Sequence, residues 1–317
     1  MLPVLSQAIG LQRFEVQDPV RQSRIAAQMW YPSDSPEQTL RVGSFSLQVA
    51  VNGRPLEGRR PLLLISHGNG GNSLAHRDLA DHLARAGFVV VTFTHPFDNH
   101  ENQQALGTTL QSHDRPRELQ RVLDHVLADP ALSSRVDPQR IGAIGFSAGG
   151  YTVLASAAGD VQQARYDAYC SSQRDDPLTC KAYRERGFIQ PVEPVLPVVA
   201  DPRLKALVLM APAGVFMLSD ERLRQLQQPV LLYQATQDHL IREPFSVERL
   251  RKLLPNIRGD HRIEAGHFVF IAPCPSNLLA ELAEICSDAP GIDRAAIHRR
   301  INNDVTLFFQ QQLPPAP

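Results

Sequence analysis

The segment "RIGAIGFSAGG", residues 140–150, decides the fold. Its first seven residues form a short apolar run that is typical of a buried strand, and a candidate helix begins at Ala148. Ser147 lies at the turn between them, with Gly145 and Gly149 on either side. Small residues at those two positions let a strained strand-to-helix turn form without clashes. The Gly-X-Ser-X-Gly pattern is common by chance, but this context favours an exposed, nucleophilic serine.

Composition excludes several classes of protein. The chain has 317 residues, of which 43% are hydrophobic, so it can bury a large core. Its 32 basic and 33 acidic residues give a net charge of -1, which argues against binding to nucleic acid or to an anionic membrane surface. The longest apolar runs are far shorter than the ~18 to 20 residues of a membrane-spanning helix. We therefore expect no membrane span and no nucleic-acid partner, and the oligomeric state stays open.

The N-terminal segment and the four cysteines bear on the cellular compartment. No basic residue precedes Arg13 and no long apolar stretch follows it, so a secretory signal is not recognised and a cytoplasmic protein is expected. The cysteines form two local pairs, Cys170 with Cys180 and Cys274 with Cys286. We favour four unrelated thiols, and two disulfides in a periplasmic or secreted protein are the alternative.

The order of the sequence patterns predicts an α/β fold with a mostly parallel sheet. Alternating segments at 11–16, 24–31 and 44–51 are typical of antiparallel strands. After Pro61, short apolar runs alternate with amphipathic segments of helical length, which is typical of a parallel sheet with helices on both faces. The predicted strands are 61–66, 88–93, 140–146, 205–211, 229–235 and 261–265, and the predicted helices are 73–86, 117–127, 148–158, 220–227, 245–254 and 292–312.

One stretch breaks this alternation. Residues 160–200 are polar, aromatic and finally proline-rich, and they are too long for an ordinary connection. We expect one domain over 1–317 with 160–200 inserted as a cap over the carboxyl edge of the sheet. A disordered linker is the alternative, but the tyrosines of this stretch are more than a linker usually carries.

A serine nucleophile needs a base and a third group that orients the base. His267 follows the last predicted strand and Asp238 follows the one before it, so both fall where a parallel sheet delivers loop residues. The chain order Ser147, Asp238, His267 is that of α/β-hydrolases. Other histidines, at 125, 261 and 298, fall inside predicted helices or strands, and the weaker acidic candidates are Asp201, Asp220 and Glu264. Asp238 could alternatively cap a following helix.

The glycine-rich segment "ISHGNGGN", residues 65–72, ends the first buried strand. It lets backbone N–H groups approach a developing negative charge, so we expect an oxyanion hole formed by the N–H groups of Asn69 and Ala148. A phosphate-binding loop is the competing interpretation, but the characteristic spacings of such loops are absent. His67 is expected to brace the loop rather than to act in catalysis.

These motifs together resemble the α/β-hydrolase superfamily, and within it the predicted dienelactone hydrolase and platelet-activating-factor acetylhydrolase-like group. The resemblance rests on "SHGNGG", "RIGAIGFSAGGY", "ATQDHL" and "AGHFVFIAPCP" and covers the chain from about Gly10. It implies Ser147 as nucleophile and His267 as base. Dienelactone hydrolases use a cysteine where Ser147 stands, and the acetylhydrolase position for the acid lacks a carboxylate here, so Asp238 is expected in that role.

The expected function is hydrolysis of small carboxylic esters through an acyl-enzyme. An acyltransferase or peptidase with the same triad is one alternative, and a non-catalytic ligand-binding protein of the same fold is another. Candidates for the substrate pocket are His67, Phe97, Phe146 and Phe268. His95, Asp98 and His100 suggest a metal site, but we expect only a polar loop, no metal and no cofactor.

Overall fold

The computed structural model describes residues 7–176, 179–180 and 190–315. Ten strands form a single sheet in the order β10-β9-β8-β7-β5-β6-β2-β1-β4-β3. The strands are β1 Ala8–Asp18, β2 Ser23–Ser33, β3 Gln38–Val42, β4 Phe45–Val51, β5 Arg60–Ser66, β6 Val89–Phe93, β7 Val136–Phe146, β8 Leu204–Met210, β9 Val230–Ala235 and β10 Ile257–Ile263.

The sheet is parallel from β10 to β6 and turns antiparallel at β2 and β1. This confirms the predicted α/β fold with its N-terminal antiparallel strands. The hairpin of β3 and β4 extends the N-terminal edge, and β3 was not predicted from the sequence. Its residues are exposed or half-buried, so they lack the apolar alternation that marks a strand with one buried face.

Helices cover both faces of the sheet. They are α1 Arg77–Arg85, α2 Arg115–Ala128, α3 Pro130–Ser133, α4 Ala148–Ala158, α5 Gln163–Ser172, α6 Asp220–Gln225, α7 Val247–Leu253, α8 Ala283–Cys286 and α9 Arg294–Gln312. A π-helical turn, Leu110–Asp114, leads into α2. The α4 helix has the bounds predicted for it, and the other predicted helices are shorter than expected by a few residues or, for α2, longer.

Alternate residues of each central strand enter two separate cores. In β5, Leu62 and Leu64 belong to the core under α2, α4 and α7, whereas Leu63 and Ile65 belong to the core under α1 and α9. Successive side chains of a strand point to opposite faces, so a run of apolar residues requires cover on both sides. The site described below lies at the edge where β5, β7, β9 and β10 end.

Among the described residues of the predicted cap there is one helix, α5, and cap residues 177–178 and 181–189 lie outside the described residues. The ring of Tyr169 in α5 stacks on Phe216 with 3.8 Å between centroids, which ties the helix to the turn after β8. The division into one domain with a cap at 160–200 stays a prediction.

The cysteines correct one expectation. Cys170 is bonded to Cys180 and Cys274 to Cys286, so the interpretation as four unrelated thiols is wrong. The local spacings of 10 and 12 residues were compatible with both states, and folding brings each pair of Cα atoms to 5.3 and 5.6 Å. Within the described residues, no helix has both the length and the apolar character needed to cross a membrane.

Candidate active site

Ser147 occupies the turn between β7 and α4 in a strained backbone conformation, with φ 53° and ψ -119°. Its N–H donates to the carbonyl of Met210 at 2.9 Å, and its carbonyl accepts from the N–H of Ala213 at 3.0 Å. These two bonds to the end of β8 hold a conformation that a residue with a side chain rarely adopts. The serine is therefore fixed at the carboxyl edge of the sheet.

The two glycines beside Ser147 are required by close backbone contacts. A Cβ at Gly145 would lie 2.1 Å from the carbonyl oxygen of Gly149, and a Cβ at Gly149 would lie 2.0 Å from that of Ser66. The turn, the start of α4 and the end of β5 thus touch backbone to backbone. Any larger residue would push the serine away from the loop that follows β5.

His267 lies in a 3₁₀ turn after β10, and its Nδ1 is 2.6 Å from Oδ2 of Asp238. Both side chains are buried, at 4% and 7% exposure. Oδ1 of Asp238 accepts hydrogen bonds from the N–H groups of Leu240 and Ile241, at 2.8 and 2.9 Å. Asp238 closes a turn and does not cap a helix, because the next helix, α7, begins only at Val247.

The other candidate acids have different partners. Asp201 pairs with Arg203 at 2.5 Å, Asp220 pairs with Arg249 at 2.5 Å, and Glu264 is exposed. Of the other histidines, the ring of His261 stacks on Tyr233, that of His125 stacks on Phe14, and His298 bonds to Asp78. The structure therefore pairs His267 with Asp238, as the sequence order suggested.

Two backbone N–H groups next to Ser147 are free of protein acceptors. In the described part of the chain, the N–H groups of Asn69 and Ala148 donate to no other residue. Ala148 is the first residue of α4, where backbone N–H groups have no intrahelical partner. Both residues border the same cavity as Ser147. Both N–H groups are therefore candidates for the oxyanion hole that the sequence predicts.

A buried ion pair holds the loop that carries Asn69. Nη1 of Arg115 lies 2.6 Å from Oδ2 of Asp98, and both side chains are 1% exposed. Asp98 in turn accepts the N–H of Gly70 at 3.0 Å, and Nη2 of Arg115 donates to the carbonyl of His67. Its Nε donates to Thr152 of α4 at 3.0 Å. One guanidinium thus ties the Asn69 loop to the helix that carries Ala148.

A second buried network lies behind this loop. Nδ1 of His95 is 2.5 Å from Glu118, and Nε2 is 2.9 Å from Oγ of Ser66. Burial raises the pKa of Glu118 to about 8, and burial followed by the nearby Arg115 lowers that of His95 well below its usual value. Both groups are therefore neutral near pH 7, with Glu118 donating to His95. The network braces β5 and presents no group to a cavity lined by Ser147.

His67 also serves as a brace. Its Nδ1–H donates to the carbonyl of Gly68 at 2.6 Å, and its Nε2 accepts the N–H of His95 at 3.1 Å. Burial, followed by the charge of Arg115, lowers the pKa of His67 well below its usual value, so the ring stays neutral. Both ring nitrogens are used within the protein, as expected of a residue that supports the loop.

Ser147 lies where two cavities meet. The small cavity has a volume of about 60 Å³, and its walls include Asn69, Leu106, Ser147, Ala148, Tyr151 and Met217. The large cavity has a volume of about 220 Å³, and its walls include Asn69, Phe146, Ser147, His267, Phe268 and Ile271. Of the four predicted pocket residues, Phe146 and Phe268 line the large cavity, whereas His67 and Phe97 line neither of the two.

The residues that suggested a metal site have separate partners. Asp98 is paired with Arg115, His95 bonds to Glu118, and His100 is exposed. Arg115 itself was missed by the sequence analysis. A buried arginine at the start of a helix leaves no local pattern, since its partners lie 17 to 49 residues away.

Comparisons with known proteins agree with this architecture. The sequence model of the dienelactone hydrolase family matches residues 49–181. The fold is that of an α/β-hydrolase similar to dienelactone hydrolases. A ferulic acid esterase from Streptomyces cinnamoneus superposes with a TM-score of 0.67 at 19% identity, over 99% of this chain and 93% of that chain. None of the curated proteins matches the sequence.

A second solved structure, a dienelactone hydrolase-like promiscuous phosphotriesterase from metagenomic libraries, has a TM-score of 0.56 at 16% identity over 96% of this chain and 99% of that chain. Because 811 solved chains match this chain, the fold by itself selects no substrate. The family match supports a hydrolase.

Proposed function

We propose that this chain is a serine ester hydrolase that cleaves carboxylic esters of small or medium acyl groups through an acyl-enzyme. One observation carries the proposal: His267, hydrogen-bonded to Asp238 at 2.6 Å, lines the same cavity as Ser147. The N–H groups of Asn69 and Ala148, which donate to no other described residue, border the small cavity beside the serine.

In the proposed reaction, Oγ of Ser147 attacks the ester carbonyl while Nε2 of His267 accepts its proton. Asp238 keeps the proton of the neutral ring on Nδ1 and stabilises the imidazolium that forms. The N–H groups of Asn69 and Ala148 donate to the oxyanion of the tetrahedral intermediate. His267 then returns the proton to the leaving alkoxide, and water hydrolyses the acyl-enzyme by the same route.

The two structural neighbours support an acyl- or phosphoryl-ester substrate only in general terms. One is described as a ferulic acid esterase and the other as a phosphotriesterase. Ser147 favours the esterase, because a serine with a base and an oxyanion hole is suited to acyl transfer. No metal or cofactor enters this mechanism.

The first test is Ser147→Ala with a nitrophenyl ester as substrate. Since triad members act as a unit, we expect kcat to fall by roughly 10⁴-fold or more. A fluorophosphonate should label the wild type at Ser147 and leave the variant unlabelled. Near-full activity of the variant would contradict the proposal, and an unlabelled wild type would favour a ligand-binding protein.

Hydrolysis is distinguished from acyl transfer by adding an alcohol to the same assay. An esterase releases the free acid as the main product, whereas an acyltransferase forms the new ester. Release of the acid from an amide substrate at a comparable rate would point to a peptidase.

We also propose that the protein works in an oxidising compartment. Disulfides persist in secreted and periplasmic proteins and are rare in the cytosol of mesophiles. Two such bonds therefore favour the periplasmic or secreted alternative over the cytoplasmic one. Fractionation of the cells that make the protein, with an assay for its esterase activity, tests this.

A further inference from the structure

The two cavities that meet at Ser147 differ in the candidate catalytic groups that line them. Asn69 and Ser147 border both, Ala148 borders the small one, and His267 borders the large one. Ala148, one of the two candidate oxyanion donors, and His267, the candidate base, therefore border different cavities, and Asn69 lies where the two cavities meet. This asymmetry distinguishes the two substituents of an ester carbonyl.

The leaving alcohol must lie beside His267. The imidazolium formed during attack delivers its proton to the leaving oxygen, so that oxygen has to be within hydrogen-bonding reach of Nε2. His267 is on the wall of the large cavity. The carbonyl oxygen points to the N–H groups of Asn69 and Ala148, and the acyl chain is then directed away from His267, into the small cavity.

The volumes set the size of each group. The small cavity, at about 60 Å³, has less than half the volume of an engineered apolar cavity of ~150 Å³ that binds benzene in another protein. The large cavity, at about 220 Å³, exceeds it. An aromatic ring therefore fits the side of the leaving alcohol and does not fit the acyl side.

The walls of the small cavity are held in place by covalent and polar bonds. Tyr166 of α5 and Thr179 both line it, and the Tyr166 hydroxyl donates to the Thr179 carbonyl. The bond between Cys170 and Cys180 joins α5 to the residue next to Thr179. Met217 and Leu106 also line this cavity. Because these bonds restrain Tyr166 and Thr179, this part of the wall does not move easily to admit a larger acyl group.

We infer that the substrates are esters of a short aliphatic acid with a bulky, apolar alcohol. The acyl group binds the small cavity, and the alcohol packs against Phe146, Phe268 and Ile271 in the large one. This inference deepens the proposed function and rests on it. It predicts that the enzyme prefers such esters over esters of a bulky aromatic acid with a small alcohol.

The test compares two isomeric esters, benzyl acetate and methyl phenylacetate. They contain the same atoms and are both alkyl esters, but they carry the benzyl group on opposite sides of the carboxyl. Acid release at constant pH gives kcat/KM for each, corrected for the rate of alkaline hydrolysis. We expect benzyl acetate to be preferred at least tenfold. Equal rates, or a preference for methyl phenylacetate, would overturn the assignment.

Two variants of the small cavity locate the selectivity. Met217→Ala should raise kcat/KM for methyl phenylacetate about tenfold or more, because the lost methylenes admit the ring. Leu106→Ala, at a half-buried position, should have the same effect and is the second variant in case the first unfolds. Benzyl acetate should be affected less than threefold. Phe268→Ala should instead lower kcat/KM for benzyl acetate. The control is Leu307→Ala, whose side chain is exposed on α9.

The outcomes separate this inference from the proposed function. If Ser147→Ala still cleaves both isomers, the proposed function fails. If Ser147 is essential but the small-cavity variants alter only the reaction of benzyl acetate, the subsites are reversed and this inference alone fails.

Discussion

Asp238 binds three donors at once: Nδ1 of His267 on one carboxylate oxygen, and the N–H groups of Leu240 and Ile241 on the other. The two backbone bonds fix the plane of the carboxylate, so the bond to His267 has a defined direction. The same carboxylate of Asp238 therefore both closes a turn and orients His267.

Asp238→Asn should lower kcat on the order of 10⁴-fold, because an amide group next to Nδ1 favours the tautomer that carries the proton on Nε2, and Ser147 then has no base. The Asn oxygen can still accept from Leu240 and Ile241, so the fold should persist. Steady-state kinetics with a nitrophenyl ester, alongside a thermal melt, measure both. The matched control is Glu264→Gln, an exposed carboxyl that follows the neighbouring strand, and its kcat should be unchanged. If kcat fell in Glu264→Gln and not in Asp238→Asn, the carboxylate that orients His267 would be Glu264.

The fold could be predicted because its signals are local. The runs that became β5, β6, β8, β9 and the second half of β7 are continuous apolar segments, and the serine turn has steric requirements that Gly145 and Gly149 meet. The members of the candidate triad could be chosen from the sequence because the residues that follow parallel strands meet at one edge of the sheet. The structure brings His267 and Asp238 together on these grounds.

The remaining features depend on contacts between distant segments. Arg115 looks like any surface charge at a helix start, and only the fold shows that it is 1% exposed between Asp98 and Thr152. The cysteine pairs could not be judged, since a local spacing fits thiols and disulfides equally. The small cavity combines residues from Asn69 to Met217, so its size follows from no single motif.

Arg115→Lys should lower kcat/KM roughly 10- to 100-fold, mainly through kcat. One ammonium group cannot replace the fork that reaches Asp98, the carbonyl of His67 and Thr152, so the Asn69 loop loses its fixed distance to α4. The loss of a single oxyanion donor costs about 10²- to 10³-fold in other hydrolases, which sets the upper limit. The affinity for a trifluoromethyl ketone, whose oxyanion uses the same N–H groups, should fall in parallel with kcat/KM.

The control for Arg115 is Arg117→Lys on the same helix. Arg117 pairs with Asp18, away from the serine, with an N–O distance of 2.6 Å. Its substitution should reduce stability somewhat and leave the ketone affinity unchanged. Equal losses of ketone affinity in both variants would mean that Arg115 acts only through general stability and does not position the loop.

Glu118→Gln should remove a pH dependence of stability. Burial raises the pKa of Glu118 to about 8 in the folded state from 4.5, so the folded state holds a proton that the unfolded state releases. The associated stability is fully present below pH 4.5 and is lost as the pH rises through 8, by at most about 1.4 kcal/mol per pH unit. Gln keeps a neutral donor towards His95 and releases no proton. Denaturant unfolding at pH 5, 6, 7 and 8 should show that the free energy of unfolding of the variant increases relative to that of the wild type as the pH rises.

The control for Glu118 is Glu57→Gln at an exposed position, for which the difference from the wild type should stay constant over the same pH values. A constant difference for Glu118→Gln as well would contradict a raised pKa at this carboxyl.

Loss of the Cys170–Cys180 disulfide should widen the small cavity as well as destabilise the protein. The bond closes a loop of 10 residues, which in chain-entropy terms contributes about 2 to 3 kcal/mol. The double variant Cys170→Ser with Cys180→Ser frees the segment that carries Thr179, so the preference for benzyl acetate over methyl phenylacetate should shrink severalfold.

The matched control is Cys274→Ser with Cys286→Ser, which removes a similar bond of 12 residues near the large cavity. It should lose comparable stability, measured by thermal or urea unfolding, without admitting the phenylacetyl group. Equal relaxation of selectivity in both double variants would show that stability, rather than the wall formed by Thr179, sets the acyl preference.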